Sequence, residues 1–252
     1  TKALEQIQFG ELAQTQWYFV GLAGAGYQDV FKLEIERIKE QFDTRFATFG
    51  HSIGLINNPE TLTTVPIASK TSLQMALSRV GQQMNRESDV LFLYMTSHGL
   101  ANEFELSNDP IDLDNIDPKW LREALDKSGA RWKVIVISAC YSGSFVPALQ
   151  SPDTLIITAS SADRASFGCS SEADYTYFGR AFFDQAMREQ STLKASFQQA
   201  ASTVAQWESA QGFEPSEPQW VIGKNMELML PQLEQHLFPK NQPVQETINK
   251  TL

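Results

Sequence analysis

A histidine and a cysteine each follow a strongly apolar stretch of the sequence. His98 lies at the end of VLFLYMTSHG (90–99), and Cys140 lies at the end of KVIVISAC (133–140). A thiol attacks a carbonyl carbon as its thiolate and needs a base nearby, and histidine exchanges protons near neutral pH. Gly99 would let a backbone N–H approach a substrate carbonyl oxygen closely. The residues together indicate nucleophilic catalysis at a carbonyl group.

Each of the two residues also has a structural explanation. Cys140 could be a buried core thiol, and His98 could be a hydrogen-bonded turn residue. Their occurrence together favours catalysis, because neighbouring parallel strands bring their carboxyl ends to one edge of a sheet. The residues that follow Cys140, Tyr-Ser-Gly-Ser-Phe, predict a tight turn into a short helix. A helix N-terminus at that place would favour a thiolate.

The elements that must position these residues alternate between strand-like and helix-like segments. Short apolar runs predict strands at 17–24, 90–99, 133–140, 154–161 and 217–223. Amphipathic spacing predicts helices at 29–46, 69–86, 117–129, 176–189 and 192–211. This order is typical of an α/β fold with a mostly parallel sheet. Because no linker or repeat interrupts it, we expect one domain over residues 1–237 and a polar tail over 238–252.

Composition excludes several classes of partner. The 252 residues carry 20 Lys and Arg against 30 Asp and Glu, a formal net charge of −10, without a basic cluster. We therefore expect no nucleic-acid partner. No apolar run reaches the roughly 18 residues of a membrane span. His51 and His236 lack metal-ligand spacing, and the glycines at 24 and 26 lack the third glycine of a dinucleotide-binding loop. We expect neither a metal nor a cofactor, and the sequence does not indicate an oligomeric state.

The two ends of the sequence bear on location. The chain begins at Thr1 without an initiator methionine or a signal-peptide pattern. We therefore expect a processed piece of a longer protein, whose targeting or tethering segment would lie upstream. Cys140 and Cys169 are the two cysteines of the sequence. They could pair once in an oxidising compartment, so an extracytoplasmic location stays open.

Two motifs in combination resemble those of the legumain family. YMTSHG (94–99) and ISACYSGSF (137–145) are similar to the His-Gly and Ala-Cys-x-Ser-Gly-Ser motifs of the asparaginyl endopeptidases and of the catalytic subunit of the GPI-anchor transamidase. The similarity extends over roughly residues 17–190. It implies a caspase-like fold, a three-layer α/β/α sandwich. It also implies that Cys140 is the nucleophile, that His98 is the general base and acid, and that the N–H groups of Gly99 and Cys140 form the oxyanion hole.

The resemblance is weaker in the pocket that would hold the substrate side chain. Ser138 and Arg180 stand where the family has acidic residues, and Val30–Phe31 stand in place of an Arg-His pair. Gln28 falls near the position of a family asparagine, and Ser160, at the end of the run 154–161, is a further candidate for the pocket. We therefore predict that asparagine is not the preferred P1 residue, the residue whose carbonyl group is attacked.

The orientation of Arg180 would decide which residue replaces asparagine. An arginine that points into the cleft favours an acidic P1 residue, because guanidinium groups bind carboxylates in a bidentate manner. An arginine that pairs on the surface with Asp174 or Glu172 would leave P1 selection to other groups. The sequence leaves both orientations open.

The sequence therefore predicts a cysteine endopeptidase of the legumain type that acts on peptides or proteins through a thioester. One alternative is a transamidase that uses the same acyl-enzyme. A second alternative is a catalytically silent caspase-like module that binds peptides or protein partners. A third and weaker one is a flavodoxin-like or Rossmann-type binding protein.

Overall fold

The computed structural model describes residues 2–10, 14–170 and 173–238. Its strands, in chain order, are β1 (Trp17–Ala23), β2 (Ser52–Ile56), β3 (Val90–Thr96), β4 (Gly99–Leu100), β5 (Glu103–Phe104), β6 (Trp132–Ser138), β7 (Thr154–Thr158) and β8 (Gln219–Ile222). Six of them form one sheet in the order β2–β1–β3–β6–β7–β8. All pairings in this sheet are parallel except that of β8 with β7. β4 and β5 form a separate short hairpin.

Helices cover both faces of the sheet. They are α1 (Lys2–Glu5), α2 (Asp29–Arg45), α3 (Lys70–Gln83), α4 (Pro118–Ser128), α5 (Val146–Leu149), α6 (Tyr177–Gly179), α7 (Met187–Glu189), α8 (Leu193–Gln211) and α9 (Lys224–Leu233). Short 3-10 helices lie at Pro59–Thr61 and Ser142–Phe145, and a π-helical segment, Arg180–Ala186, joins α6 to α7.

Each face of the sheet has its own hydrophobic core. Side chains of α2, α6, α7, α8 and α9 form one core, and those of α3, α4 and α5 form the other. Strands covered on both sides must be apolar throughout, which explains why β1, β3 and β6 read as continuous apolar runs. The structure confirms the predicted α/β class, the mostly parallel sheet and the three layers.

The main differences from prediction lie at the ends of elements. β3 stops at Thr96 and β6 at Ser138, two residues before His98 and Cys140. The strand β2 was not expected, because SIGLI is short, contains glycine and shows no alternation. The predicted helix 176–189 is real, but a π-helical segment interrupts it. Of the predicted tail, residues 239–252 lie outside the described residues.

The pairing of β3 with β6 determines where the chemistry-bearing residues emerge. Thr96 and Ser138 are the last partners in register. His98 and Cys140 each follow two residues later, and the Ser97 N–H still donates to the carbonyl oxygen of Ser138 at 3.2 Å. Both residues therefore leave the sheet at the same carboxyl edge.

Gly81 shows how closely α3 packs against the end of α4. A Cβ atom at position 81 would lie 1.8 Å from the carbonyl oxygen of Ser128. Alanine favours a helix more than glycine does, yet we expect Gly81→Ala to lower the free energy of unfolding by about 1–3 kcal/mol, because the two helices must separate. Urea unfolding measures this free energy. The control is Gln82→Ala at the exposed neighbouring position, whose free energy of unfolding should stay within about 0.5 kcal/mol of wild type. A Gly81→Ala protein as stable as wild type would contradict the packing.

Candidate active site

The His98 ring is held on three sides by the loop and helix that follow β1. Its Nε2 atom is hydrogen-bonded to Oε1 of Gln28. The Tyr27 ring stacks on the imidazole at a centroid distance of 5.8 Å, and Phe31 presents its edge at 5.2 Å. Tyr27 is itself tethered, since its hydroxyl donates to Glu105 at 3.2 Å. The orientation of the half-buried ring is therefore fixed before any substrate binds.

The Gln28 amide also decides which ring nitrogen of His98 carries the proton. Its Nε2 group donates to the carbonyl oxygen of Cys169 at 2.9 Å. A carbonyl oxygen can only accept, so the amide nitrogen must face Cys169 and the amide oxygen must face His98. The imidazole Nε2 is then the donor. In the neutral ring, Nδ1 is left as the basic nitrogen.

Cys140 lies at a sharp turn between β6 and the 3-10 helix Ser142–Phe145. Tyr141 has a φ of 58°, in the left-handed region, which redirects the chain immediately after the thiol. The half-buried Sγ atom of Cys140 lies 3.3 Å from the backbone nitrogen and 3.4 Å from the carbonyl oxygen of Ser166. The segment that contains Ser166 therefore passes directly alongside the thiol.

Gly99 brings the backbone after His98 against the backbone of Cys140. A Cβ atom at position 99 would lie 2.7 Å from the Cys140 carbonyl oxygen and 3.1 Å from that of Glu103. The N–H of Glu105 donates to the carbonyl oxygen of His98 at 3.0 Å, so Gly99 and Phe104 form a non-hydrogen-bonded pair of the hairpin. The N–H of Gly99 therefore points away from β5. Within the described residues, the N–H of Cys140 has no acceptor either.

A buried hydrogen-bond network beneath the site connects the ends of β3 and β6. Glu34 of α2 accepts from the Thr96 hydroxyl at 2.6 Å, the Thr176 N–H at 3.0 Å and the Thr176 hydroxyl at 2.9 Å. The Thr176 hydroxyl also lies 3.0 Å from Oγ of Ser138. Glu34 is completely buried. Burial raises the pKa of its carboxyl group above the ordinary value, although these hydrogen bonds act in the opposite direction.

Two predicted pocket residues do not reach an open pocket. The Ser138 side chain is buried and directed at Thr176. Ser160 is completely buried, and its hydroxyl donates to the Ala139 carbonyl oxygen at 3.0 Å while accepting from the Ser142 N–H at 3.2 Å. Ser160 therefore braces the turn that carries Cys140. Its assignment to the substrate pocket is corrected, because a side chain without exposed surface cannot contact a substrate.

Arg180 neither contacts the candidate catalytic residues nor pairs with Asp174. Its guanidinium group lies over the Trp207 ring at 5.5 Å. Asp174 pairs with Arg37 instead, at 2.9 Å, and Glu172 lies outside the described residues. Among the described residues, no hydrogen bond or ion pair joins Arg180 to His98 or Cys140. Four predicted residues, Gln28, His98, Gly99 and Cys140, thus lie at one site, whereas Arg180 lines a cavity whose described lining includes none of them.

Cys169 lies in the same region but in a different environment from Cys140. Both cysteines are free. Burial raises the pKa of the Cys169 thiol to about 12, and the neighbouring Cys140 contributes to this rise. Cys169 is therefore a thiol at neutral pH, and its carbonyl group, not its sulfur, contacts Gln28.

Sequence reasoning missed three contributors to the site. Glu34 could have been noticed as an acidic residue on the apolar face of α2, beside Phe31 and Ile35. Tyr27 and Ser166 had no such signal, because both lie in loops whose path depends on the fold. Within the described residues, no group of three or more His, Cys, Asp or Glu side chains could hold a metal ion. No helix described here is both long and apolar enough to cross a membrane.

The buried Glu34 carboxyl should make stability depend on pH. Because its pKa is raised in the folded state, folding favours the protonated form. Its stabilising contribution is present below the unfolded-state pKa and is lost as pH rises through the folded-state pKa. We expect Glu34→Gln to be more stable than wild type at about pH 8, and this advantage to shrink toward about pH 4–5. Urea unfolding across this range tests it, with the exposed Glu36→Gln as a control; a constant difference would contradict the assignment.

Comparison with known proteins identifies the fold and the family of this chain. The model of the peptidase C13 family matches residues 70–229. Among solved structures 238 chains match, including caspase-1 from Spodoptera frugiperda, with 12% sequence identity, a TM-score of 0.59 and coverage of 86% of this chain and 90% of that chain. This likeness shows that the fold is caspase-like. No curated protein matches. The family model spans well over half of the chain, which therefore belongs to the peptidase C13 family, the legumain family of cysteine peptidases.

Proposed function

We propose that this protein is a cysteine endopeptidase in which Cys140 is the nucleophile and His98 is the general base and acid. The main observation behind the proposal is that His98 and Cys140 each lie two residues beyond the last paired residues of β3 and β6. The fixed imidazole supports it, since Gln28 leaves Nδ1 free to take a proton. Family membership supports the reaction class.

The proposed reaction passes through a thioester. Nδ1 of His98 takes the thiol proton, and Sγ of Cys140 attacks the scissile carbonyl carbon. The imidazolium then protonates the leaving amine, the C–N bond breaks, and the acyl group remains on sulfur. His98 next takes a proton from water, which attacks the thioester. The C–S bond breaks, a carboxylic acid leaves, and the proton returns to the thiolate.

The backbone would stabilise the negative charge that develops on the carbonyl oxygen. The N–H of Gly99 points away from its hairpin partner, and that of Cys140 has no acceptor among the described residues. Two such donors at fixed positions are what an oxyanion hole requires. A side chain at position 99 would push them apart, which explains why glycine is needed there.

The environment of the site also supports a P1 preference other than asparagine. Ser138 offers no carboxylate, and its side chain is buried. Val30 and Phe31 are completely buried and provide no cation. The polar partners that an asparagine side chain requires on both its donor and acceptor ends are therefore missing from these positions.

Substitution of the two cysteines separates an enzyme from a silent binding module. We expect Cys140→Ser to reduce turnover of a quenched fluorescent peptide library by about a thousandfold or more while keeping the fold. Cys169→Ser should retain most activity, because its thiol is partly buried and protonated. Equal losses in both variants would mean that the nucleophile is misassigned. Absence of turnover by the wild-type protein under these conditions would favour the silent binding module. Mass spectrometry of the products formed in the presence of an added amine distinguishes hydrolysis from transfer to the amine.

Gly99→Ala tests the proposed oxyanion hole. The new Cβ atom would collide with two backbone oxygens, those of Cys140 and Glu103, which cannot move aside as a flexible side chain can. We expect kcat to fall by about a hundredfold with little change in KM, since the lost interaction forms in the transition state. The same collision should lower the melting temperature by roughly 2–6 °C, so turnover is measured well below the unfolding transition. The exposed neighbour Leu100→Ala should behave as wild type. An unchanged kcat in Gly99→Ala would contradict the assignment.

A further inference from the structure

A groove lies beside the segment that passes Cys140 and is separate from the catalytic residues described above. It has a volume of about 580 Å³ and lies between residues 168–170 and 173–177, the start of the π-helical segment and the C-terminal half of α8. We call it the Arg180 groove and define it by Gly168, Tyr175, Tyr177, Arg180, Trp207 and Gln211. Three aromatic rings, those of Tyr175, Tyr177 and Trp207, line part of its wall, with Tyr177 edge-on to Trp207 at 5.5 Å.

The groove is within reach of a peptide whose carbonyl group lies at Cys140. Ser166 touches the Cys140 Sγ atom, and Gly168, only two residues further along, lines the groove. An extended chain spans at most about 3.6 Å per residue, so this rim lies no more than about 7 Å from Ser166. A substrate that extends two to four residues from the scissile bond can therefore place a side chain in the groove.

The rim of the groove is fixed by a close backbone approach. Gly168 has a φ of 92°, and a Cβ atom there would lie 2.5 Å from the backbone nitrogen of Tyr177. The Tyr177 N–H donates to the Phe167 carbonyl oxygen at 3.0 Å. Phe167 is stacked in turn on Phe213 at 4.4 Å. The rim is thus held in place on both sides, as a preformed binding site requires.

Charge complementarity indicates what the groove would bind. The two carboxylates among its described lining residues are both paired, because Asp174 lies 2.9 Å from Arg37 and Asp184 lies 3.4 Å from Arg188. Arg180 has no carboxylate partner within the described residues, although the chain has a net charge of −10. The Arg180 side chain is exposed and its guanidinium group lies over the Trp207 ring at 5.5 Å. A guanidinium group so supported can bind a carboxylate in a planar, bidentate manner.

We propose that the Arg180 groove is a substrate subsite that binds the carboxylate side chain of an aspartate or glutamate located two to four residues from the scissile bond. This proposal rests on the proposed peptidase function. It assigns Arg180 to the selection of an acidic residue away from P1, and it assigns Trp207 to the support of the guanidinium plane. The aromatic walls contact the methylene groups of the bound side chain.

Peptide binding to an inactive variant tests this subsite independently of turnover. The protein is the full chain with Cys140→Ala, and the probes are fluorescent octapeptides from a positional library in which one position is fixed as Asp or as Asn. We expect one position at which Asp binds about tenfold or more tightly than Asn, because a charge-assisted contact is lost in the amide. In the Cys140→Ala protein, a second substitution, Arg180→Gln, should abolish this difference in affinity. Arg180→Lys should instead retain part of the difference.

The controls separate the groove from general electrostatics and from catalysis. Arg122→Gln removes a positive charge that is also paired, with Asp126, but lies on α4 at the opposite face of the sheet, and it should leave the preference for Asp unchanged. A preference for Asp that survives Arg180→Gln, or its absence at every position, would overturn the proposal. Binding that depends on Arg180 in a protein without turnover would instead preserve the subsite and refute the peptidase activity.

Discussion

β3 and β6 pair in parallel over seven residue pairs, from Val90 with Trp132 to Thr96 with Ser138. Their side chains are almost all buried on both faces, so a shift of one residue would move each side chain of a strand into the opposite core. Such a shift would also place His98 and Cys140 on opposite sides of the sheet. Core packing thus determines the register of β3 and β6. The register in turn determines the relative positions of the two candidate catalytic residues.

The buried Glu34 carboxyl adds a second constraint at the same edge. Through Thr96 and Thr176 it joins α2 to β3 and to the start of α6, and Ser138 extends the network to β6. Burial of a carboxyl group is unfavourable unless hydrogen bonds satisfy it, and three bonds do so here. The network therefore ties the strand ends beneath His98 and Cys140 to the helical layer, at the expense of stability when the carboxyl ionises.

The layers and the central strands could be predicted from the sequence, and so could the placement of His98 and Cys140 at one edge of the sheet, because each depends on local pattern. Continuous apolar runs identify buried parallel strands, and His98 and Cys140 are adjacent to such runs. It could not predict that Ser160 braces the turn after Cys140, because that contact joins residues about twenty positions apart across two strands. The contact of Arg180 with Trp207 could not be predicted for the same reason, since Trp207 belongs to a later helix. Motif matching placed both side chains in the pocket by position alone, whereas side-chain direction depends on tertiary packing.

Alkylation of the two cysteines tests whether Cys140 and His98 act as a pair. Iodoacetamide at neutral pH, followed by peptide mapping by mass spectrometry, gives the rate at each thiol in one experiment. The account predicts that Cys140 reacts about tenfold or more faster than Cys169, whose thiol has a pKa raised to about 12 by burial. It also predicts that His98→Ala slows Cys140 by about tenfold and leaves Cys169 unchanged. An alkylation rate at Cys140 that does not respond to His98→Ala would contradict the account.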